Sequence, residues 1–167
     1  LGIADQRHFS FATCDHVNVV EASRMSFPAN RREGRPFGHM HFLSTGNTRM
    51  STAGDARFWD RVSQRYSKAK ISDQGGYERT LDRTRALLPP DAQVLELGCG
   101  TGSTAVRLAG GVKSYLATDI SGRMIAIAEE KHAVSAVDGL EFRKRTADSI
   151  AKEPSEYDVV LGFNYLH

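Results

Sequence analysis

The sequence predicts an α/β protein with a Rossmann-like parallel sheet, preceded by a helical segment. Two observations carry that prediction. Strand and helix signals alternate from Gln93 onward, and three glycines at every second position, Gly98, Gly100 and Gly102, stand where the first strand turns into the first helix. Alternation of this kind implies right-handed crossovers and a sheet covered by helices on both faces. The chain of 167 residues is long enough for one such domain plus a tail, and 40% apolar with 25% charged residues is ordinary globular composition.

Residues 1–49 read as a disordered or poorly structured leader. Their short apolar pieces (Phe9–Phe11, Val17–Val20, Phe42–Leu43) keep no period of 2 or 3.6, and the Pro28–Gly38 stretch is rich in Gly, Pro and Arg. Patterning begins abruptly after Met50, which makes Met50 a candidate natural start. Residues 50–90 predict a helical cap. Asp55 can cap a helix that puts Phe58, Trp59, Val62, Tyr66 and Ala69 on one face, the Ser72–Gly76 run breaks it, and a second helix runs from Tyr77 to the Pro89-Pro90 stop.

Residues 91–167 carry the alternating part. Gln93–Leu97 reads as a strand, Gly102–Ala109 as a helix and Ser114–Asp119 as a second strand. Ser121 caps a helix reaching about His132, Leu140–Arg143 is a third strand, and a short helix follows over Asp148–Lys152. Tyr157–Phe163 is an apolar fourth strand suited to burial on both faces.

The chemistry is concentrated in Val94–Thr104. A glycine turn between strand and helix admits positive φ and lets a ligand approach without meeting Cβ, and the following helix start offers backbone N–H groups. Such turns also serve dinucleotides and P-loop nucleotides. The P-loop is excluded because it needs Gly-Lys-Ser/Thr and no Lys occurs between Lys70 and Lys113, and the G-x-G-x-x-G fingerprint fails because position 103 is Ser. Glu96, two residues before the first glycine, would repel a pyrophosphate and favour an ammonium or sulfonium. Asp119 closes the second strand, where a carboxylate can accept both hydroxyls of a ribose. Ile120 and Met124 suit an adenine face, and Asp148 suits an exocyclic amine. Acid, glycine loop, acid and acid at successive strand ends fit an adenosine with a zwitterionic amino-acid tail.

In order and spacing, Val94–Thr104, Thr118–Met124, Thr146-Ala147-Asp148 and Tyr157–His167 resemble the class I S-adenosylmethionine-dependent methyltransferases, closest to the broad bacterial type-11/type-25 methyltransferase-domain group. Phe58-Trp59-Asp60 followed by Tyr66 resembles the helix that often precedes this domain. The resemblance spans roughly residues 55–167. It implies S-adenosylmethionine as cofactor, with Glu96 and the Gly98-Cys99-Gly100-Thr101-Gly102 loop lining its methionine end. Asp119 would hold the ribose, Ile120 the adenine, and Ala147 and Asp148 its edge. Phe163 and Asn164 would sit beside the methyl group and Tyr66 would cover the pocket. The family sheet has seven strands ordered 3-2-1-4-5-7-6, so the resemblance also implies a sheet cut after its fourth strand, which becomes an unprotected edge, and a fragment of low turnover.

Function classes narrow accordingly. Six arginines against four acids in residues 1–49 account for the whole net charge of +2, leaving 16 basic and 16 acidic residues in the rest. A neutral folded part gives no bulk attraction for nucleic acid. The Phe163–His167 motif also lacks the Pro-Pro of enzymes that methylate exocyclic amines of nucleic-acid bases, which points to a small-molecule acceptor. No apolar run reaches the ~20 residues of a membrane span, and neither a signal peptide nor a metal set is found, so the expected setting is cytoplasmic. Cys99 reads as a small residue in a turn rather than a nucleophile, and no catalytic base is identified. Two alternatives stay open, an NAD(P)-binding oxidoreductase half-domain and a non-catalytic S-adenosylmethionine-binding module. The residues do not specify the oligomeric state.

Overall fold

A computed structural model describes residues 52–153 and 155–163, together with the backbone of three short strands nearer the N-terminus. Those strands are β1 (Ser10–Cys14), β2 (Val17–Glu21) and β3 (Met25–Ser26). Two helices follow, α1 (Thr52–Lys68) and α2 (Gln74–Leu87). The alternating part then runs β4 (Gln93–Leu97), α3 (Ser103–Leu108) with a 3-10 turn over Ala109–Gly111, β5 (Ser114–Asp119), α4 (Gly122–Val134), β6 (Leu140–Lys144), α5 (Ala147–Ile150), β7 (Glu156–Tyr157) and β8 (Val159–Phe163).

The central sheet is ordered β1-β2-β8-β4-β5-β6. Its four strands β8, β4, β5 and β6 are mutually parallel, as the alternation predicts. β4 and β5 lie in the middle, so the loop after β4 and the end of β5 meet at one rim of the sheet. Side chains alternate across the strands. Val94, Tyr115, Ala117, Val159 and Leu161 face a core shared with Leu81, Ala105, Leu108, Ile125, Ala128 and Phe142. The opposite face carries a smaller cluster of Leu95, Leu116, Ile150 and Tyr157.

Several boundaries differ from the sequence prediction. The second helix starts at Gln74, before Tyr77, because the Asp73 side chain accepts the Gly76 N–H at 2.8 Å and caps it. Asp55 lies in the first turn of α1, not at its cap. The fourth strand is interrupted at Asp158, whose N–H donates to the Gln93 carbonyl while its Oδ2 accepts the Gln93 N–H, both at 2.9 Å. The fragment before the break, β7, pairs antiparallel with β3. The unprotected edge expected at the fourth strand is also corrected, because β2 pairs antiparallel along β8 from Val17↔Phe163 to Val20↔Val160, and β1 completes a hairpin outside it. Residues 1–9, 15–16, 22–24 and 27–51 of the expected leader and start lie outside the described residues.

Candidate functional site

The site is built at the rim where β4 and β5 end. All three alternating glycines take positive φ, at 69° for Gly98, 55° for Gly100 and 70° for Gly102. L residues rarely adopt that conformation, which is the reason for glycine at each position. Beyond that their roles separate. A Cβ on Gly102 would lie 2.7 Å from Ala128 Cβ and 2.7 Å from Phe142 Cε1, so this glycine lets α3 pack against α4 and β6. A Cβ on Gly100 would meet only Tyr66 Cε1, at 3.8 Å. Gly100 is therefore the glycine that keeps open the space beneath the α1 tyrosine.

Three backbone donors of the loop itself are spoken for, whereas the first turn of α3 that follows has no side-chain cap. Cys99 N–H donates to the Thr118 carbonyl at 2.9 Å, Gly102 N–H to the Cys99 carbonyl at 3.0 Å and Gly100 N–H to Asp119 Oδ2 at 2.9 Å. Asp119 Oδ1 accepts the Ser121 N–H at 2.8 Å. Asp119 thus ties the glycine loop to the start of α4. Each carboxylate oxygen has a second lone pair, so acceptor capacity for a ligand hydroxyl persists. On the far side of the loop Lys131 Nζ donates to the Thr101 carbonyl and to the hydroxyls of Thr101 and Ser103, at 2.8 to 2.9 Å. That clamp from α4 was not legible in the sequence, because nothing in the spacing of Lys131 marks it.

Glu96 is almost wholly buried, at 1% exposure, beneath the loop. Its Oε2 accepts the Tyr115 hydroxyl at 2.9 Å. Burial pushes its carboxyl up to about 7, with nearby Asp119 adding to the rise and the Tyr115 hydrogen bond opposing it. Burial also raises Asp119, against the pull of its backbone donors. Burial pushes the Cys99 thiol far above its ordinary value, which removes the thiolate a nucleophile needs. Two buried carboxyls at one rim, both poor in counter-charge, form a place where an arriving cation is favoured.

Helix α1 brings a third carboxylate. Asp60 Oδ1 accepts the Ser121 hydroxyl at 2.6 Å and the Arg123 N–H at 3.1 Å, and these bonds hold its carboxyl below the usual value. Ser121 in turn accepts the Met124 N–H at 3.1 Å and caps α4, as predicted. Of the predicted helical stripe, Phe58 and Tyr66 are 43% and 50% exposed, while the buried residue of α1 is Ser63. Phe58, Trp59 and Tyr66 form an edge-to-face series with centroids 5.3 and 6.0 Å apart. Of the three rings, Tyr66 is the one that reaches Gly100.

The remaining predicted residues divide. Ile120 is half-buried next to Asp119, whereas Met124 is buried, at 2% exposure. Ala147 and Asp148 start α5, but the cap is Thr146, in a reciprocal capping box with Ser149. Asp148 is exposed and Phe163 is half-buried at the end of β8. Asn164 lies outside the described residues. Among the described residues, no cluster of His, Cys, Asp and Glu is arranged to hold a metal, and no helix is long and apolar enough to cross a membrane.

A sheet with this strand order, a glycine turn after its first parallel strand and an acid closing the next define a Rossmann-like domain of the class I methyltransferase type. Residues 94–167 match the profile of a family described as "Methyltransferase domain". No curated protein matches the chain. Among solved structures, the [4+2]-cyclase SpnF is similar at 19% identity and TM-score 0.52, over 59% of this chain and 43% of that one. A complex of DhpI with SAH is similar at 26% identity and TM-score 0.48, over 56% and 44%. Magnesium protoporphyrin IX methyltransferase (ChlM) from Synechocystis PCC 6803 with bound SAM is similar at 22% identity and TM-score 0.47, over 60% and 57%. The chain thus spans less than two thirds of each of these proteins.

Proposed function

We propose that the chain is part of an S-adenosylmethionine-dependent methyltransferase acting on a small-molecule acceptor. The observation that carries the reading is the pair of buried carboxyls, Glu96 and Asp119, set around a glycine loop whose Gly100 faces open space under Tyr66. A pyrophosphate would meet repulsion there, whereas a sulfonium with an ammonium-bearing tail meets attraction. The bound cofactor would supply a methyl group already activated by positive sulfur.

The residues of the chain have positioning work to do. Glu96 supplies buried negative charge beneath the methionine end, Asp119 accepts ribose hydroxyls with its spare lone pairs, and half-buried Ile120 offers an apolar face to the base. Tyr66, set edge-to-face against Trp59, covers Gly100 and shields it from water. Methyl transfer to a lone pair is then chiefly a matter of alignment. The near-zero charge of residues 50–167 supports a small acceptor over a polyanion.

Calorimetric titration tests the reading. S-adenosylmethionine and S-adenosylhomocysteine should bind with micromolar affinity and NAD should not. Tight uptake of NAD with indifference to both sulfur nucleosides would overturn it. Because a [4+2]-cyclase shares the fold, activity must be read as transfer of labelled methyl to an acceptor.

A further inference from the structure

Beside the glycine-loop cradle lies a second concavity that the cofactor reading leaves unused. It is an open cleft of ≈ 730 Å³ between α1 and the first turn of α4, lined by Arg57, Asp60, Arg61, Gln64 and Arg123. Three arginines meet one carboxylate there, a local excess of positive charge in a part of the chain whose total charge is zero.

Their placement is unfavourable to the fold. Arg57 and Arg61 stand one turn apart on α1, a like-charge i,i+4 pair that weakens a helix. Arg123 is the second residue of α4, where the helix dipole disfavours a cation. None of the three forms an ion pair with a described residue, although five other arginines pair with carboxylates. Asp60 offsets only one of the three charges, so the lining keeps a net charge of +2. Cations gathered against helix stability, around a concavity and beside an amide donor (Gln64), are arranged as an anion receptor is.

We infer that the Arg57–Arg61–Arg123 cleft is a binding site for a phosphate or carboxylate group of a small molecule, separate from the cofactor cradle. Three arginines are too few to follow a nucleic-acid backbone.

The test uses the 167-residue chain and inorganic phosphate. Calorimetric titration at constant ionic strength is run with and without saturating S-adenosylhomocysteine, on the wild type, on Arg57→Gln/Arg61→Gln and on Lys152→Gln as a charge control. Saturable phosphate binding should appear, persist with the nucleoside bound, and weaken by about tenfold or more in the double variant only. Absence of saturable binding would overturn the proposal. So would an equal response in the double variant, or competition between phosphate and the nucleoside, which would make the cleft part of the cofactor site. The double variant changes exposed side chains, and its far-ultraviolet dichroism and melting temperature verify its fold. Should no sulfur nucleoside bind the wild type, the functional reading fails while the phosphate arms still decide the cleft.

Discussion

Asp60 of α1 accepts the hydroxyl of Ser121 at 2.6 Å, and Ser121 hands its own N–H to Asp119. One side chain of the preceding helix is thereby wired to the acid that closes β5. Ser121 caps α4 from within and Asp60 caps it from outside, satisfying the Met124 and Arg123 N–H groups respectively. Removing either group should therefore loosen both the cover and the rim. Asp60→Ala should destabilise the chain by about 1 kcal/mol and Ser121→Ala by about 1–2 kcal/mol in urea unfolding. The double variant should cost less than the sum of the two, because they share one bond.

Gly100 and Gly102 should separate under substitution. Gly102→Ala drives a Cβ into Ala128 and Phe142 at a backbone φ of 70°, so a loss of at least about 2 kcal/mol in stability is expected. Gly100→Ala meets only Tyr66 at 3.8 Å and should cost about 1 kcal/mol for its left-handed backbone. Its larger effect should be on S-adenosylhomocysteine binding, since the new methyl stands in the open space under Tyr66. Unfolding curves and titrations on both variants check the contrast.

The Glu96 carboxyl gives a pH signature. Its value of about 7 in the folded chain lies above the ordinary 4.5, so between those values the folded state holds a proton that the unfolded state has lost. Stability from this group is therefore full below about pH 4.5 and falls as pH rises to about 7, by about 3 kcal/mol in total. Glu96→Gln should flatten that decline, and the difference between the two unfolding profiles isolates it from other carboxylates. A cationic ligand favours the ionised form. S-adenosylmethionine should thus bind about tenfold more tightly at pH 8 than at pH 6, with proton release, and Glu96→Gln should remove the dependence.

Lys131 should act through the loop. Burial lowers its affinity for a proton, yet its three hydrogen bonds hold Thr101 and Ser103. Lys131→Met keeps the stem and removes the donors. S-adenosylhomocysteine binding should weaken by about tenfold while the melting temperature changes little.

The parallel sheet and the glycine turn were legible because period and φ requirements are local properties: Gln93–Leu97, Ser114–Asp119 and the Ser121 cap all fall where the sequence places them. Glu96 was legible as an acid beside glycines, but its bond to Tyr115 was not, because that contact depends on strand register. The Asp60 cap, the Lys131 clamp and the break at Asp158 join residues far apart in the chain, and no periodicity announces them. The burial of Met124 was not legible either, because it depends on which way its face of α4 turns.

The hairpin on β8 sets a condition on whatever else adjoins that flank. Val17 to Val20 already occupy the hydrogen-bonding row of Val160 to Phe163. A newcomer strand would have to peel these residues away and re-form an equivalent ladder, trading one set of amide bonds for another. Such an exchange is nearly balanced in free energy and gated by the rate of peeling, so the flank behaves as a shuttered border rather than an open template for self-assembly.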